Sequence, residues 1–390
     1  MQLYFDNAAT SFPKPQCVID AMVSYQNSCG ASPGRGAYAQ AVDATNVLEH
    51  CRSMLCELVH AEDSTHCIFT LNCTDALNLA INGTASFHRH LGEQIHIVTT
   101  VMDHNSVLRP LHALKKDGVT HTIVPANTET GIVQPSDIAR AITPHTRLVA
   151  VAHGSNVTGT VQDLAAIGDA CGDIPLLVDA AQTMGHTLID VQSMHIDLLA
   201  FPGHKGLLGP LGTGGLIMQP HMVEVLEPHR FGGTGSVSDQ LAQPSTVPDK
   251  YESGSHNMVG ICGLAASIGW ILSKGVDTLH THEISLCEQF IDAMSGVSGV
   301  RIVGPQTAEQ RCGVFSLVFD DCPETTAQLL EEVTGVRCRW GLHCAPLAHN
   351  TMGTDKLGGT VRISFGPFHT TEDIRFLTSA IAQCMQLVPA

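Results

Sequence analysis

Two short apolar runs in the middle of the chain each end in a residue that can take part in catalysis. Residues 176–178 are followed directly by Asp179, and residues 198–201 are followed by His204 and Lys205. Unbroken apolar runs of this length are typical of strands buried on both faces of a parallel sheet. Ligands bind at the carboxyl ends of such strands. Because buried charges are costly unless they are paired, this aspartate and this lysine predict a bound partner.

A cofactor with a cationic ring nitrogen and an aldehyde would pair with both side chains. The Asp179 carboxylate would hold the protonated ring nitrogen, and the Lys205 amine would condense with the aldehyde. Pyridoxal 5'-phosphate (PLP) carries both groups. The alternative is a surface ion pair that follows two strands, and the neighbouring residues decide between the two interpretations.

The composition indicates a compact enzyme of more than one domain. The chain has 390 residues, more than one ordinary core holds, with 44% apolar and 15% charged residues. Its net charge of -17 argues against nucleic acid or an anionic membrane as a partner. The 14 cysteines show no CxxC spacing and the 22 histidines no HxxxH spacing, so we predict no metal site. With no secretory leader apparent, unpaired cysteines predict a cytoplasmic location.

Strand-like and helix-like segments alternate through the first two thirds of the chain. Before the two central runs, the predicted strands are 68–71, 95–101, 119–124 and 148–152. The predicted helices between them include 39–59, 106–116, 135–142 and 163–171. This alternation predicts an α/β fold with a mostly parallel mixed sheet flanked by helices. We predict a large domain over residues 15–269 and a smaller C-terminal α+β domain over 270–390, on which residues 1–14 can pack.

Further polar residues follow other predicted strands or the same turn. His104 follows the strand at 95–101, Asn156 follows the strand at 148–152, and Gln182 lies three residues after Asp179. An imidazole can stack on a cofactor ring and can move protons near neutral pH. The two amides can reach the ring's phenolic oxygen, and Asn156 can alternatively reach a substrate carboxylate. Polar residues after four consecutive strands favour one shared site.

A phosphate group would need its own binding site. Thr74 is predicted at or near the start of a helix, where free backbone N–H groups favour anions. His204 can add a second donor. The alternatives are a plain helix cap for Thr74 and a loop histidine for His204.

The C-terminal segment adds a cysteine and an arginine. Cys344 lies close in sequence to His343, Arg339 and His349, and cationic neighbours favour the thiolate that a nucleophile requires. Alternatively, Cys344 is one more structural cysteine among fourteen. Arg362 interrupts an apolar strand pattern and needs a carboxylate partner, which is either an amino-acid substrate or an internal ion pair.

Ten segments in one order carry a family resemblance. They are "YFDNAAT", "RG" at residues 35–36, "CTDALN", "MDHNS", "SNVTGT", "VDAAQ", "GHK", "GTGS", "GLHCAP" and "TVRISFG". Together they resemble the class V aminotransferase family of fold-type I PLP enzymes, and within it the cysteine desulfurases and selenocysteine lyases. The resemblance covers essentially the whole chain.

The resemblance implies a role for each of these residues. Lys205 is the Schiff-base lysine, Asp179 binds the pyridine nitrogen, Gln182 binds the phenolic oxygen and His104 is the stacking base. Arg362 anchors the substrate carboxylate and Cys344 accepts sulfur. The predicted substrate and cofactor sites are completed by Asn156, Ala9, Arg339, Cys73, Thr74 and His204. The resemblance also implies a homodimer in which Thr234 and Gly235 reach the partner subunit's cofactor phosphate.

Two positions depart from the family pattern. The residue two before His204 is Pro202, where relatives often carry a phosphate-binding Ser or Thr, and Cys73 stands where a second Thr is common. The stretch from Cys344 to Arg362 is also short, which resembles desulfurases with a short, ordered cysteine loop.

The expected activity is removal of sulfur from L-cysteine, which gives L-alanine and a persulfide on Cys344. Selenocysteine is a second expected substrate, and a persulfide-acceptor protein is an expected partner. The alternatives are a C–S lyase that forms pyruvate and ammonia, a class V aminotransferase, and a cofactor-free scaffold of the same fold.

Overall fold

The computed structural model describes residues 3–387 and contains a large and a small sheet. The strands of the large sheet are β1 (Cys67–Thr70), β2 (His96–Thr100), β3 (Thr120–Val124), β4 (Thr146–Ala152), β5 (Leu176–Asp179), β6 (Leu198–Pro202) and β7 (Gly214–Met218). The strands of the small sheet are β8 (Val300–Val303), β9 (Val314–Phe319), β10 (Arg339–Gly341) and β11 (Thr360–Ser364). The helices are α1 (Gln16–Ser24), α2 (Ala39–Val59), α3 (Cys73–His90), α4 (Asn105–Leu114), α5 (Pro135–Ala141), α6 (Leu164–Cys171), α7 (Met222–Val225), α8 (Met258–Lys274), α9 (Val276–Met294), α10 (Pro323–Thr334), α11 (Pro346–Thr351) and α12 (Thr371–Leu387).

The large sheet is mixed but mostly parallel, as predicted. Its strand order is β1-β7-β6-β5-β4-β2-β3, and the five strands from β6 to β3 run parallel to their neighbours. Strand β7 pairs antiparallel with both β6 and β1. We did not predict β7, because it opens with two glycines after a stretch rich in Gly and Pro, which is typical of a turn. Their missing side chains let β7 approach Phe201 and Asn72 closely.

Helices cover both faces of the large sheet. In β5, Leu176 and Val178 pack into the core under α2, α6 and α8, whereas Leu177 packs into the core under α3, α4 and α7. Successive residues of a strand point to opposite faces, so a strand that is apolar throughout is buried on both. This arrangement confirms the predicted α/β class and leaves the ends of the strands as the places where polar side chains can gather.

The small sheet is antiparallel, with the strand order β10-β11-β9-β8. Its core is aromatic: Phe290 of α9 contacts Phe315 of β9 with ring centroids 4.7 Å apart. Phe5, from the N-terminal segment, is buried in the same core. We did not predict β8 and β10, which are only four and three residues long and each contain an arginine.

The N-terminal segment runs between the two sheets. Tyr4 and Asp6 form parallel bridges with Arg337 and Ser364 next to the small sheet, while Ser11 bonds to the loop after β6. The division into domains stays a prediction, and residue 270, at its proposed boundary, lies inside α8.

Within residues 3–387, no single helix has the length and apolar character needed to cross a membrane. The consecutive helices α8 and α9 meet that test only as a pair, with a 79° bend between them.

Candidate active site

The carboxyl ends of β6, β5, β4 and β2 open onto one cavity of about 110 Å³. Eight of the predicted site residues line it, namely Cys73, Thr74, His104, Asn156, Asp179, Gln182, His204 and Lys205. Neighbouring parallel strands bring these residues together although they are far apart in sequence. Their individual roles stay predictions.

Asp179 is the last residue of β5, and its carboxylate is held at one oxygen. Asp179 Oδ1 accepts hydrogen bonds from the Ala181 backbone N–H at 2.9 Å and from the Cys73 thiol at 3.4 Å. Its Oδ2 has no hydrogen-bond partner among residues 3–387. The carboxylate is therefore fixed in direction and keeps one oxygen available to a cationic ligand. Cys73 acts here as a buried support for Asp179.

Lys205 follows β6 and has no partner for its amine within the described part of the chain. Burial lowers the pKa of Lys205, while the Asp179 carboxylate opposes that shift. A lysine with a lowered pKa has a larger fraction of neutral amine, which is the form that attacks an aldehyde or removes a proton.

His104, Ser106 and Thr74 form a hydrogen-bonded chain along one wall of the cavity. The Ser106 hydroxyl lies 2.9 Å from His104 Nδ1 and 2.8 Å from the Thr74 hydroxyl. His104 Nδ1 also accepts the Ser106 backbone N–H at 3.0 Å, because His104 caps the start of α4. Nδ1 therefore carries no proton, and in the neutral ring the proton is on Nε2. Burial lowers the pKa of His104, which favours this neutral form.

Thr74 lies near the start of α3, as predicted, but it is not the residue that caps the helix. The helix is capped by Asn72, whose side chain accepts the Asp75 backbone N–H at 2.9 Å, and Thr74 lies in the first turn. An asparagine is the better cap because its side-chain oxygen reaches the N–H three residues on. The Thr74 hydroxyl is consequently released to bind Ser106.

These groups fit a phosphate. The first turn of α3 offers backbone N–H groups that lack an intrahelical acceptor, and Thr74 and Ser106 add two hydroxyls. His204 Nδ1 is buried with no partner among the described residues, and burial lowers the pKa of His204 to about 4. Pro202 lines the same cavity and offers no hydroxyl. Ser106, which we did not predict, supplies one instead.

The cavity therefore fits PLP on three separate observations. An unpartnered amine on Lys205 fits the aldehyde, a free carboxylate oxygen on Asp179 fits the ring nitrogen, and the α3 end of the cavity fits the phosphate.

A second cluster, formed by Asp6, Arg339 and Arg362, lies between the N-terminal segment and the small sheet. Asp6 Oδ2 accepts Arg339 Nη2 at 2.9 Å, and Asp6 Oδ1 accepts Arg362 Nη2 at 3.1 Å. Arg362 Nη1 donates to the Asn156 backbone carbonyl at 3.2 Å, whereas Arg362 Nε is buried without a partner among residues 3–387. The internal ion pair weighed for Arg362 is thus present, and one guanidinium edge still lacks an acceptor.

Cys344 lies on a turn whose backbone accepts hydrogen bonds from residues that follow two strands of the large sheet. His343 and Cys344 have left-handed φ angles of 47° and 59°. The His343 carbonyl accepts the Asn156 side-chain N–H at 2.5 Å, and the Cys344 carbonyl accepts the Asn105 backbone N–H at 2.8 Å. Two consecutive non-glycine residues in this region are strained unless their surroundings hold them. The turn is therefore held against the loops that follow β4 and β2.

The exposure of Cys344 separates it from most other cysteines. All 14 cysteines lie in the described part of the chain, and the exposed ones are Cys17, Cys322 and Cys344. His343 and His349 are buried beside the turn, and burial lowers the pKa of His349 to about 4. These histidines are therefore neutral at neutral pH, and the nearby cations are the two arginines.

Three predicted site residues also make contacts within the protein, and their predicted ligand contacts stay predictions. The Gln182 amide donates to the Ala8 carbonyl at 3.1 Å, and the Asn156 amide donates to His343. Ala9 is half-buried and its N–H donates to the Asp6 carbonyl at 3.0 Å, so it supports the arginine cluster through Asp6.

Thr234 and Gly235 are not near Lys205 within one chain. They line a different cavity, of about 370 Å³, formed by the loop from Phe231 to Pro244. Their predicted contact with a partner subunit stays a prediction.

Sequence reasoning missed Asp6 and Ser106 as functional residues. Asp6 stands in "YFDNAAT" and Ser106 in "MDHNS", both of which carried the family resemblance. An acidic residue after a short N-terminal strand pattern was a weak signal for Asp6, because its arginine partners lie more than 300 positions away.

The fold and the cavity define an α/β enzyme with its site at the carboxyl edge of a mostly parallel sheet. The family model for aminotransferase class V matches residues 3–377. The chain belongs to the class V aminotransferase family.

The relatives found by sequence are named as desulfurases. The chain is 35% identical over 388 residues to a probable cysteine desulfurase of Methanothermobacter thermautotrophicus, covering 98% of this chain and 94% of the relative. It is 32% identical over 399 residues to a cysteine desulfurase of Yersinia pseudotuberculosis, covering 99% and 94%.

Solved structures agree. An apo structure of the cysteine desulfurase from Thermococcus onnurineus matches with a TM-score of 0.90 and 30% identity, covering 99% of this chain and 95% of that one. The Escherichia coli cysteine desulfurase CsdA, as its S-sulfonic acid, matches with a TM-score of 0.86 and 27% identity over the same shares. The fold-type I architecture is therefore shared along the whole chain.

Proposed function

We propose that the protein is a PLP-dependent cysteine desulfurase that converts L-cysteine to L-alanine and leaves a persulfide on Cys344. One observation carries the proposal: the exposed Cys344 turn is bonded to Asn105 and Asn156, in the loops that follow β2 and β4 at the edge of the Lys205 cavity. A lyase or an aminotransferase on this scaffold has no need of a cysteine held there.

The arginine cluster supports an amino-acid substrate. Arg362 Nε is buried and lacks an acceptor, and a carboxylate is the group that a guanidinium edge binds best. Asp6 already neutralises part of the charge of both arginines, so one further carboxylate does not leave the cluster strongly negative.

The Lys205 amine is the group best placed to take the Cα proton of the substrate. Its pKa is lowered by burial, and no described residue holds the amine in place. Bound PLP would supply an acceptor for the electron pair left at Cα, with Asp179 holding the ring nitrogen in its protonated state.

Sulfur transfer would use the Cys344 thiolate as nucleophile. An S–S bond forms between Cys344 Sγ and the substrate sulfur as the substrate Cβ–S bond breaks, and its electron pair stays on carbon. Protonation of that carbon, together with return of a proton from Lys205 to Cα, completes L-alanine, so atoms and electrons balance. His104 carries a proton on Nε2 and can donate it at the cavity wall. The same displacement applies to selenium, so selenocysteine is included in the proposal.

The deciding experiment is product analysis with L-cysteine and a reductant. We expect alanine and sulfide in equal amounts from the PLP-loaded protein, and loss of both in Cys344→Ala. Cys322→Ala is the matched control, because Cys322 is also exposed but lies in the small domain before α10. Pyruvate and ammonia that persist in Cys344→Ala would instead identify a C–S lyase.

Three further points belong to the proposal: a homodimer, a protein that accepts the persulfide, and a cytoplasmic location. The dimer is supported by Thr234 and Gly235, which lie away from the cavity of their own chain. Mixing Lys205→Ala with Thr234→Ala subunits tests the dimer, since a dimer that shares sites would regain activity.

The unpaired cysteines support a cytoplasmic location, because reduced thiols persist in the cytoplasm.

A further inference from the structure

The backbone carbonyl that precedes Lys205 receives hydrogen bonds from four donors. The His204 carbonyl oxygen accepts from the Thr10 hydroxyl at 3.1 Å and from the Ser11 hydroxyl at 3.1 Å. It also accepts from the Ser11 backbone N–H at 3.0 Å and from the Lys14 ammonium at 2.9 Å. A carbonyl oxygen has two lone pairs, so four donors from residues 10–14 are more than ordinary loop packing requires.

Lys14 has no acidic partner for its charge. Its ammonium donates to the Ser11 hydroxyl at 2.7 Å and to the His204 carbonyl, and no carboxylate among residues 3–387 forms an ion pair with it. Burial lowers the pKa of Lys14 to about 8. Long charged side chains are rarely buried without a countercharge. Lys14 is only half-buried, and among residues 3–387 its ammonium donates to one carbonyl and one hydroxyl.

The bonds fix the main chain around Lys205 and leave its side chain untouched. On one side the Gly203 N–H donates to the Thr213 carbonyl at 2.8 Å, and on the other the Leu208 N–H donates to the Lys205 carbonyl at 2.8 Å. The four donors at His204 complete this set. Because the 204–205 peptide is planar, fixing its carbonyl also fixes the positions of the Lys205 nitrogen and Cα. The bond from Leu208 to the Lys205 carbonyl then restrains the rotation about N–Cα that sets the direction of the Cα–Cβ bond.

We propose that Lys14 is a positioning residue for Lys205. This inference rests on the proposed function, since that function gives Lys205 its catalytic role. Lys14 is absent from the lining of the Lys205 cavity, so it acts through the His204 carbonyl and touches neither substrate nor cofactor. A charge-assisted hydrogen bond is roughly twice as strong as a neutral one, which sets Lys14 apart from Thr10 and Ser11.

The first test measures amide hydrogen exchange in the full-length, PLP-free protein by mass spectrometry. We expect Lys14→Met to speed exchange in the peptide covering residues 203–209 about tenfold, as the loss of a bond worth about 1.4 kcal/mol predicts. Lys14→Arg keeps the charge and restores protection. Lys116→Met is the matched control, because Lys116 is exposed on the surface beyond α4. If Lys14→Met leaves this peptide as protected as in the parent protein, the proposal is wrong.

If Lys14→Met does not fold, Lys14→Gln is measured instead, because it removes the charge of Lys14 and leaves the donors of Thr10 and Ser11 to the His204 carbonyl unchanged. The same two outcomes apply. Faster exchange confined to residues 203–209 supports the positioning role of Lys14, and unchanged exchange there overturns it.

A second test separates positioning from a general loss of structure. With PLP and L-cysteine, Lys14→Met should lower kcat about tenfold and leave KM within a factor of two, because the Arg362 cluster is not altered. Lys14→Arg should recover kcat. A parent enzyme without Cys344-dependent alanine formation would overturn the proposed function while the exchange result still stands. An active parent with unchanged exchange and kcat in Lys14→Met would overturn this inference alone.

Discussion

The site has two halves that the protein builds in different ways. The cofactor half consists of His104, Asp179 and Lys205, which lie at the carboxyl ends of three parallel strands of one sheet, β2, β5 and β6. The substrate half consists of the Asp6–Arg339–Arg362 cluster and the Cys344 turn, which join the N-terminal segment to the small sheet and to loops of the large one.

The difference lies in what fixes each half. A strand paired on both sides cannot move its last residue without breaking ladder hydrogen bonds, so the sheet itself fixes Asp179. His104 and Lys205 follow two other strands of that sheet within four residues. The substrate half is fixed by ion pairs and a few hydrogen bonds between segments that are far apart in sequence. We therefore expect changes in the cofactor half to abolish chemistry and changes in the substrate half to alter binding and stability.

The largest effect should come from Lys205→Ala. Without the amine, no described side chain on that wall of the cavity can take the Cα proton, and L-cysteine turnover should fall about 10²- to 10⁴-fold. Folding should be preserved, because the Lys205 amine makes no hydrogen bond within residues 3–387. Steady-state alanine formation and a thermal melt measure the two properties.

Lys356→Ala is the control for Lys205→Ala, since Lys356 lies in a short exposed turn before β11. A Lys205→Ala protein with normal turnover would remove the distinction between the halves, because the cofactor half would then not carry the chemistry.

The next effect should be the loss of stability in Asp6→Ala. Both arginines would lose their carboxylate, and Arg362 is buried with only 4% of its side chain exposed. Removing one partner of a buried ion pair typically costs about 3–5 kcal/mol. Urea unfolding at pH 7.5 should show this loss in the free energy of unfolding, and Asp6→Asn should show a smaller one.

Asp20→Ala is the matched control, because Asp20 is an exposed aspartate whose hydrogen bond is to Gln16 within α1. Equal stability of the Asp6→Ala and Asp20→Ala proteins would mean that water or another group replaces Asp6, and that the substrate half does not depend on it.

The two halves also differ in how well the sequence predicts them. Asp179 and Lys205 follow apolar runs, and the rule that ligands bind at strand ends places both in one cavity without any knowledge of distant contacts. The bond from Gln182 to Ala8 and the pairing of Asp6 with Arg362 span 174 and 356 positions. No local pattern encodes such contacts, because they depend on how complete segments pack.

At the start of α3, the sequence left two residues as possible caps. Both Asn72 and Thr74 are good helix caps, and sequence alone did not rank them. The structure selects Asn72 because its backbone is extended there, with φ of -174°. Ser106 was missed for the opposite reason: a serine in the first turn of a helix is common, and only the fold brings it to Thr74.

A third prediction concerns acid, which should affect the scaffold of the cofactor half through His153. His153 follows β4, and its backbone N–H donates to the Asp179 backbone carbonyl at 3.0 Å. Its ring is buried, and Nδ1 has no partner among the described residues. Burial lowers the pKa of His153 from 6.5 to about 3. The unfolded chain therefore binds the proton first as pH falls.

The stability contributed by neutral His153 is present above pH 6.5 and is lost as pH falls towards 3. At pH 5 the loss should be about 2 kcal/mol from this one group. Urea unfolding at pH 7.5 and pH 5 should show a smaller difference in His153→Gln than in the parent. His50→Gln is the control, because His50 is exposed at the surface of α2. If the free energy of unfolding falls between pH 7.5 and pH 5 by as much in His153→Gln as in the parent, a group other than His153 causes the loss of stability in acid.

The smallest effect, and the one that tests where the halves meet, should come from Asn156→Ala. The Asn156 side chain lines the Lys205 cavity, yet its amide donates to the His343 carbonyl beside Cys344. If the amide serves mainly to hold the cysteine turn, its loss should slow sulfur transfer and spare proton removal. Losing a bond worth about 1.4 kcal/mol corresponds to roughly a tenfold slower transfer.

Two measurements separate these steps in Asn156→Ala: single-turnover persulfide formation on Cys344, and exchange of the substrate Cα hydrogen with deuterated water. Slower persulfide formation with a parent-like rate of Cα hydrogen exchange would show that Asn156 links the cofactor half to the Cys344 turn of the substrate half. Asn350→Ala, an exposed change in α11, should alter neither rate. If both rates fall together, Asn156 acts on the cofactor or the substrate itself, as its place after β4 first indicated, and the turn is held in position by the Asn105 bond and the buried histidines.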